Sequence, residues 1–201
     1  MTSEPTGDLL RLASWWQEYR PRGERNIAWI LDPADASTAE MAVNSAVDSG
    51  STVIALLALG DSEAARAVVS SRARVTPAQV RDQPADMSDL EWMSQVAAIR
   101  DARADETAQT SDQAIAACAA ALAAATKRAT PVVFDGLIAH AAAMTAGEFN
   151  ASWLPASSST DPAVTLAQEH WNARPGVDLH SRGNDDLGIR AVFALLDLVE
   201  D

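Results

Sequence analysis

Asp61, Asp135, Asp185 and Asp186 are the carboxylates of this chain whose neighbours suggest work on a small molecule. Asp135 ends the run Pro131–Phe134, which is short, apolar and β-branched, as in strands buried on both faces of a parallel sheet. Gly136 follows, and Leu137–Ala146 reads as an Ala-rich helix. A carboxylate at the carboxyl end of such a strand stands where open α/β sheets hold their ligands. Asp135 and Gly136 serve equally as helix cap and tight turn, and both readings are open here. Asp61 follows Gly60 after a second strand-like run, Thr52–Leu59. Asp185 and Asp186 precede the last helical stretch, where either can cap it. Ser157 to Thr160 offer hydroxyls to a ligand or form a polar loop.

The elements that must position these groups alternate along the chain. Strand-like runs at Asn26–Leu31, Thr52–Leu59 and Pro131–Phe134, with a weaker one at Ser152–Leu154, are separated by helical patterns. The helical stretches lie near Gly7–Tyr19, Thr38–Ser49, Ser62–Ser71, Ser88–Arg103, Ser111–Lys127, Leu137–Ala146, Asp161–Asn172 and Asp186–Glu200. Strands joined through helices predict a three-layer α/β fold, with a mostly parallel central sheet and helices on both faces. The two strands Thr52–Leu59 and Pro131–Phe134 are expected side by side at its centre. Ser88–Glu91 reads as a capping box that starts a helix. Arg72–Met87, with Pro77 and Pro84, predicts a long loop or a short helix between loops.

Composition sets the outer limits. At 201 residues, one domain with a short N-terminal helical segment at about residues 1–20 is expected. A net charge of −13 argues against nucleic-acid and anionic-membrane partners. The single cysteine, Cys118, sits in an apolar Ala-rich stretch and reads as a buried small side chain. His140, His170 and His180 show no metal-ligand spacing, so no metal and no cofactor are expected. The start shows no secretory pattern and no run reaches the length of a membrane span, which predicts a cytoplasmic protein. Trp15, Trp16, Trp92 and Trp153 are read as the aromatic supply of an interface.

Thr130–His140 (T-P-V-V-F-D-G-L-I-A-H) resembles the V-V-x-D-G-F-I…A-A-A signature of the nicotinate-nucleotide–dimethylbenzimidazole phosphoribosyltransferases. Further matches run in order. Ile54–Asp61 (I-A-L-L-A-L-G-D) resembles the family's L-L-x-L-G-E, which opens its Gly-rich loop. Gln113–Arg128 is similar to its Ala-rich helix, Ala156–Pro162 sits at its A-S-H-x-S-x-E-P-G-H, and Asp178–Gly188 falls on D-L-x-L-R-L-G-E-G-T-G. The departures are as informative. This chain is shorter than the family norm, with the missing length read as lying mostly between Leu31 and Ala39. After Gly60-Asp61 it runs directly into Ser62–Ser71, a helix-like stretch in place of the Gly-rich phosphate loop. The family's two site histidines fall on Ser157 or its neighbour and on Val164.

The resemblance implies a base exchange at the anomeric carbon of nicotinate mononucleotide. A benzimidazole nitrogen attacks, nicotinate leaves with inversion, and a carboxylate takes the benzimidazole N–H proton. It implies Asp185 and Asp61 as the catalytic carboxylates, each one methylene shorter than the family's glutamate. Gly60, Asp135, Gly136, Ser157, Ser159, Arg182 and Asp186 would contact substrate. By their places after strands or before helices on one sheet edge, Gly60, Asp61, Asp135, Gly136, Asp185 and Asp186 are expected to line one concavity. Shortening a base matters because misplacement by ~1 Å can cost about 100-fold in rate. Asp61 and Glu63 put negative charge where a phosphate would sit, and Arg66, Arg72, Arg74, Arg81 and Arg182 are equal candidates to offset it. Two functions follow. One is a shortened member of the cobalamin lower-ligand pathway with a degenerate site. The other is an active transferase making α-ribazole phosphate with Asp185 as general base. The expected partners are a small-molecule base or nucleotide, and a second copy or a longer homologue in a dimer.

Overall fold

An apolar run becomes a central strand when both of its faces can be covered, and β2 (Val53–Leu57) meets that condition at every residue. The computed structural model describes residues 5–20, 24–105, 112–181 and 185–200. In chain order the elements are α1 (Pro5–Tyr19), β1 (Ile27–Leu31), α2 (Ala36–Asp48), β2, α3 (Glu63–Arg72), a 3-10 turn (Pro77–Val80) and α4 (Asp89–Ala104). There follow α5 (Gln113–Lys127), β3 (Val132–Asp135), α6 (Leu137–Thr145), β4 (Trp153–Pro155), β5 (Ser157–Ser159), α7 (Pro162–His170), β6 (Val177–Ser181) and α8 (Leu187–Glu200).

Strands β1 to β4 form a parallel sheet in sequence order, so β2 and β3 are its two central members, as expected. Alternation along these strands splits the interior into two cores. Ile54, Leu56, Val132 and Phe134 face the larger one, which α2, α3, α5, α6 and α7 cover. Val53, Ala55, Leu57 and Val133 face the smaller, built with Ile189, Val192 and Leu196 of α8 and with Leu12 and Trp16 of α1. The fold is therefore a three-layer α/β arrangement with helices on both faces of the sheet.

Local chemistry sets the helix starts. Asp35, Ser62, Ser88, Asp112 and Asp161 each accept a backbone N–H from the first turn that follows. Arg72–Met87 resolves into the short 3-10 turn flanked by loops. Cys118 is fully buried on α5, and burial pushes its thiol up to about 12. No helix of the described residues is long and apolar enough to cross a membrane.

Two expectations need correction. Ser157–Ser159, for which a polar loop was one reading, and Val177–Ser181, to which the sequence assigned no element, pair as the parallel strands β5 and β6. They extend the exit of β4, because Ala156 N–H donates to Phe134 O and Val177 N–H to Ala156 O. Trp16 and Trp153 are core residues, 2% and 5% exposed, and so are not part of an exposed aromatic supply. Trp153 packs edge-on to Phe149 and donates its Nε1–H to Thr126. Trp15 and Trp92 are half-buried.

Candidate functional site

Parallel strands bring their carboxyl ends to one edge, and polar residues gather there from four of them. Asp32 follows β1, Gly60 and Asp61 follow β2, Asp135 ends β3, and Ser157 opens β5 just past β4. These groups divide into two environments.

The first is sealed. Asp135 is 1% exposed; its Oδ1 accepts the Gly136 N–H at 2.9 Å and its Oδ2 the Ser157 hydroxyl at 3.0 Å. Burial pushes the carboxyl up to about 6 against both of these bonds, and the charge of Asp185 adds to the rise. The Ser157 carbonyl accepts from Gln168 Nε2 at 2.9 Å, and the same amide lies 3.2 Å from His140 Nε2. His140 Nδ1 is 2.8 Å from the Gly136 carbonyl, which only accepts. The imidazole thus carries its proton on Nδ1 and receives one at Nε2. Burial drives its pKa down to about 4, so the ring is neutral at pH 7. Asp135 does not cap α6, because the cap position is Gly136, with φ at +93°. A Cβ there would lie 2.2 Å from the Ala58 carbonyl oxygen, so glycine is a steric necessity. The start of α8 presses on the same carboxylate. A Cβ on Gly188 would lie 2.4 Å from Asp135 Oδ2 and 2.7 Å from Ser157 Oγ.

The second environment is open. A cavity of about 240 Å³ lies at the end of β2, with Gly60, Asp61, Arg66, Arg81, Leu137 and Asp161 among its walls. Arg66 is 5% exposed yet charged, which requires dense pairing. Its Nε donates to Asp61 Oδ1 at 2.7 Å, Nη1 and Nη2 fork onto Asp161 at 3.1 and 2.7 Å, and Nη1 also donates to the Val80 carbonyl. Arg81 donates to Asp61 Oδ2, so one carboxylate joins two guanidiniums. Burial pushes the Asp61 carboxyl up, but the bonds and charges of Arg66 and Arg81 outweigh it and hold it below the usual range.

The expected concavity is therefore two places. Gly60 and Asp61 line the cavity, whereas Asp135, Gly136, Asp185 and Asp186 are not among its walls. Asp185 is exposed and accepts the Leu187 N–H at 3.1 Å; Asp186 pairs with Arg190 at 2.5 Å. Both act on the first turn of α8. Ser159 is nearly buried and accepts the Asp161 N–H at 3.0 Å. Arg182 lies outside the described residues. His180 is exposed beside Asp178 at φ +49° and lines no part of the cavity. Sequence reasoning left five arginines equal; among the four that lie within the described residues, the fold places Arg66 and Arg81 on the cavity wall. It missed Asp161, Gln168 and Asp32, whose Oδ1 accepts the Leu59 N–H at 2.6 Å. Among the described residues no cluster of His, Cys, Asp and Glu is arranged to hold a metal ion.

A phosphoribosyltransferase family model matches residues 35–199. Over 225 positions the chain is 27% identical to the nicotinate-nucleotide–dimethylbenzimidazole phosphoribosyltransferase of Corynebacterium glutamicum. The chain belongs to that family. The match takes in 98% of this phosphoribosyltransferase family member and 63% of the relative. The protein of the same name from Corynebacterium efficiens is 27% identical over 207 positions, covering 90% of this chain and 56% of its own length. The crystal structure of CobT from Thermus thermophilus matches the fold with a TM-score of 0.64 at 19% identity, over 94% of this chain and 60% of that one. This divergent phosphoribosyltransferase family member thus spans less than two thirds of the curated relatives it matches. A match of 225 positions to 201 residues leaves room only for short insertions. Most of the relative's extra length therefore lies outside the match, not between Leu31 and Ala39 as the sequence suggested.

Proposed function

We propose that this chain is a shortened nicotinate-nucleotide–dimethylbenzimidazole phosphoribosyltransferase homologue with a degenerate site, tied to the cobalamin lower-ligand pathway. It takes a flat free base in preference to the mononucleotide. One observation carries this reading: Asp61 is bound to Arg66 and Arg81 directly ahead of α3, where a nucleotide phosphate would need backbone donors. A dianionic phosphate brought there meets like charge with no Gly-rich loop to offset it. A carboxylate held ionised by two guanidiniums is also a poor proton acceptor, which removes Asp61 as a base. The reading takes residues 1–201 as one cytoplasmic phosphoribosyltransferase-like domain, without metal or cofactor. It pairs with itself or with a longer homologue.

The second reading, an active transferase, draws on Asp185. Its carboxylate is exposed at the start of α8, on the sheet edge that carries Asp135. Purified protein titrated calorimetrically with nicotinate mononucleotide and with dimethylbenzimidazole separates the two. The degenerate site predicts heat from the base alone and no α-ribazole phosphate when both are supplied. Tight mononucleotide binding, with turnover lost in Asp185→Asn, would establish the enzyme instead.

A further inference from the structure

We propose that the cavity at the end of β2 is an anion site whose occupant is built into the chain: the Asp61 carboxylate stands where a phosphate-type oxyanion would otherwise bind Arg66 and Arg81. The geometry is that of a bridged ligand. Oδ1 takes the Nε–H of Arg66, and Oδ2 takes an N–H of Arg81. A tetrahedral oxyanion offers the same two acceptors, and guanidinium is the side chain best matched to it. The two arginines differ in how they are fixed. Arg66 is buried, with its far edge pinned by Asp161 and Val80, so its Nε keeps its direction whatever happens to Asp61. Arg81 is 18% exposed in its side chain and approaches from the loop past the 3-10 turn. Asp61 itself is about half exposed, at 48%, so the bridged position opens to solvent.

Removing the carboxylate charge while keeping the side chain leaves a buried guanidinium edge without its ionic acceptor. An anion from solution restores that acceptor. In the native chain Asp61 is tethered one residue after Gly60, so it competes at an effective concentration of about millimolar or above. An external anion must displace it against that advantage. Asp82, also on the cavity wall, adds a second negative charge, but Asp61 is the carboxylate that touches both guanidiniums. Asp61 is thus the residue that decides whether this cavity accepts an anion.

The test uses inorganic phosphate and the full chain, by calorimetry and by thermal unfolding. The wild type and Asp61→Glu are expected to show little response. Asp61→Asn and Asp61→Ser should bind phosphate at least about tenfold more tightly than wild type. Their melting temperatures should rise with phosphate concentration, a readout that serves even if a variant is weakened. The double variant Asp61→Asn with Arg81→Gln should lose the gain. The inference is overturned if neither single variant responds, if the wild type binds as tightly as they do, or if the gain survives without Arg81. It rests on the degenerate-site reading, yet fails separately. Mononucleotide turnover by the wild type would sink that reading, whereas silence of the Asp61 variants toward phosphate sinks this one.

Discussion

Asp135 and Asp61 follow neighbouring parallel strands, yet one is enclosed by neutral partners and the other is half open and held by two guanidiniums. The position after a strand does not by itself fix the chemistry of a carboxylate. What fixes it is which elements close over it. At β3 the start of α8, β5 and α6 arrive together, water is excluded, and the acid is pushed toward its neutral form. At β2 the chain turns through Gly60 into α3, solvent is retained, and arginine pairing favours the ionised form. An open α/β edge can therefore keep its acids while dividing them between structure and binding.

Backbone substitutions should break the comparison most sharply. Gly136→Ala places a Cβ on the Ala58 carbonyl and is expected to lose about 3 kcal/mol or more in urea unfolding. Gly60→Ala meets nothing closer than Ile138 at 4.0 Å and should lose only about 1 kcal/mol, from its positive φ. Equal losses at the two sites would mean that the enclosure around Asp135 is looser than the structure gives.

The next largest effects depend on pH. Asp135 has its folded pKa raised from 3.8 to about 6, so its contribution to stability is full below 3.8 and lost as pH rises through 6. Asp135→Asn should accordingly be more stable than wild type at pH 8, by up to about 3 kcal/mol. His140 runs the other way. Its pKa falls from 6.5 to about 4, so its contribution is present above 6.5 and lost as pH falls through 4. In the wild type the two slopes oppose each other between these limits. Asp135→Asn should show stability rising from pH 4 to 6.5, and His140→Gln should show it falling, in urea midpoints across that range.

The smallest effect belongs to the open cluster and has the opposite sign. Asp61 has a lowered pKa, so its contribution is present above 3.8 and lost as pH falls through the folded value. Asp61→Asn should cost about 1 kcal/mol or less at pH 7, because the side chain is half exposed to screening solvent. A stabilising Asp61→Asn, or a destabilising Asp135→Asn at pH 8, would erase the distinction between the two sites.

Much of the scaffold was legible because burial on both faces leaves a plain mark. Val53–Leu57 and Val132–Phe134 are continuous apolar runs, and their pairing at the centre followed from the helices between them. The capping residue Ser88 was equally readable, because its partner lies three residues on. β5 and β6 were not, since Ser157–Ser159 carries no apolar period and Val177–Ser181 mixes in Asp178 and His180. The site was half readable. Asp135 and Asp61 stood out by position, but Arg66 and Asp161 are 95 residues apart, and only the fold brings them together. Trp16 and Trp153 misled for a related reason: an aromatic residue has the same letter in a core as at an interface.

Cys118 gives this chain a practical property. Its thiol is enclosed between α5 and its neighbours and is protonated at working pH, so thiol reagents meet no native target while the fold is closed. A cysteine placed at an exposed position such as Leu179 or Asp185 then becomes the single labelling point, and a nitroxide or fluorophore there reports on that edge alone. In the unmodified chain the slow reaction of Cys118 becomes a counter instead. Each modification records one opening of the Ala-rich α5, and the rate measures how often the larger core breathes.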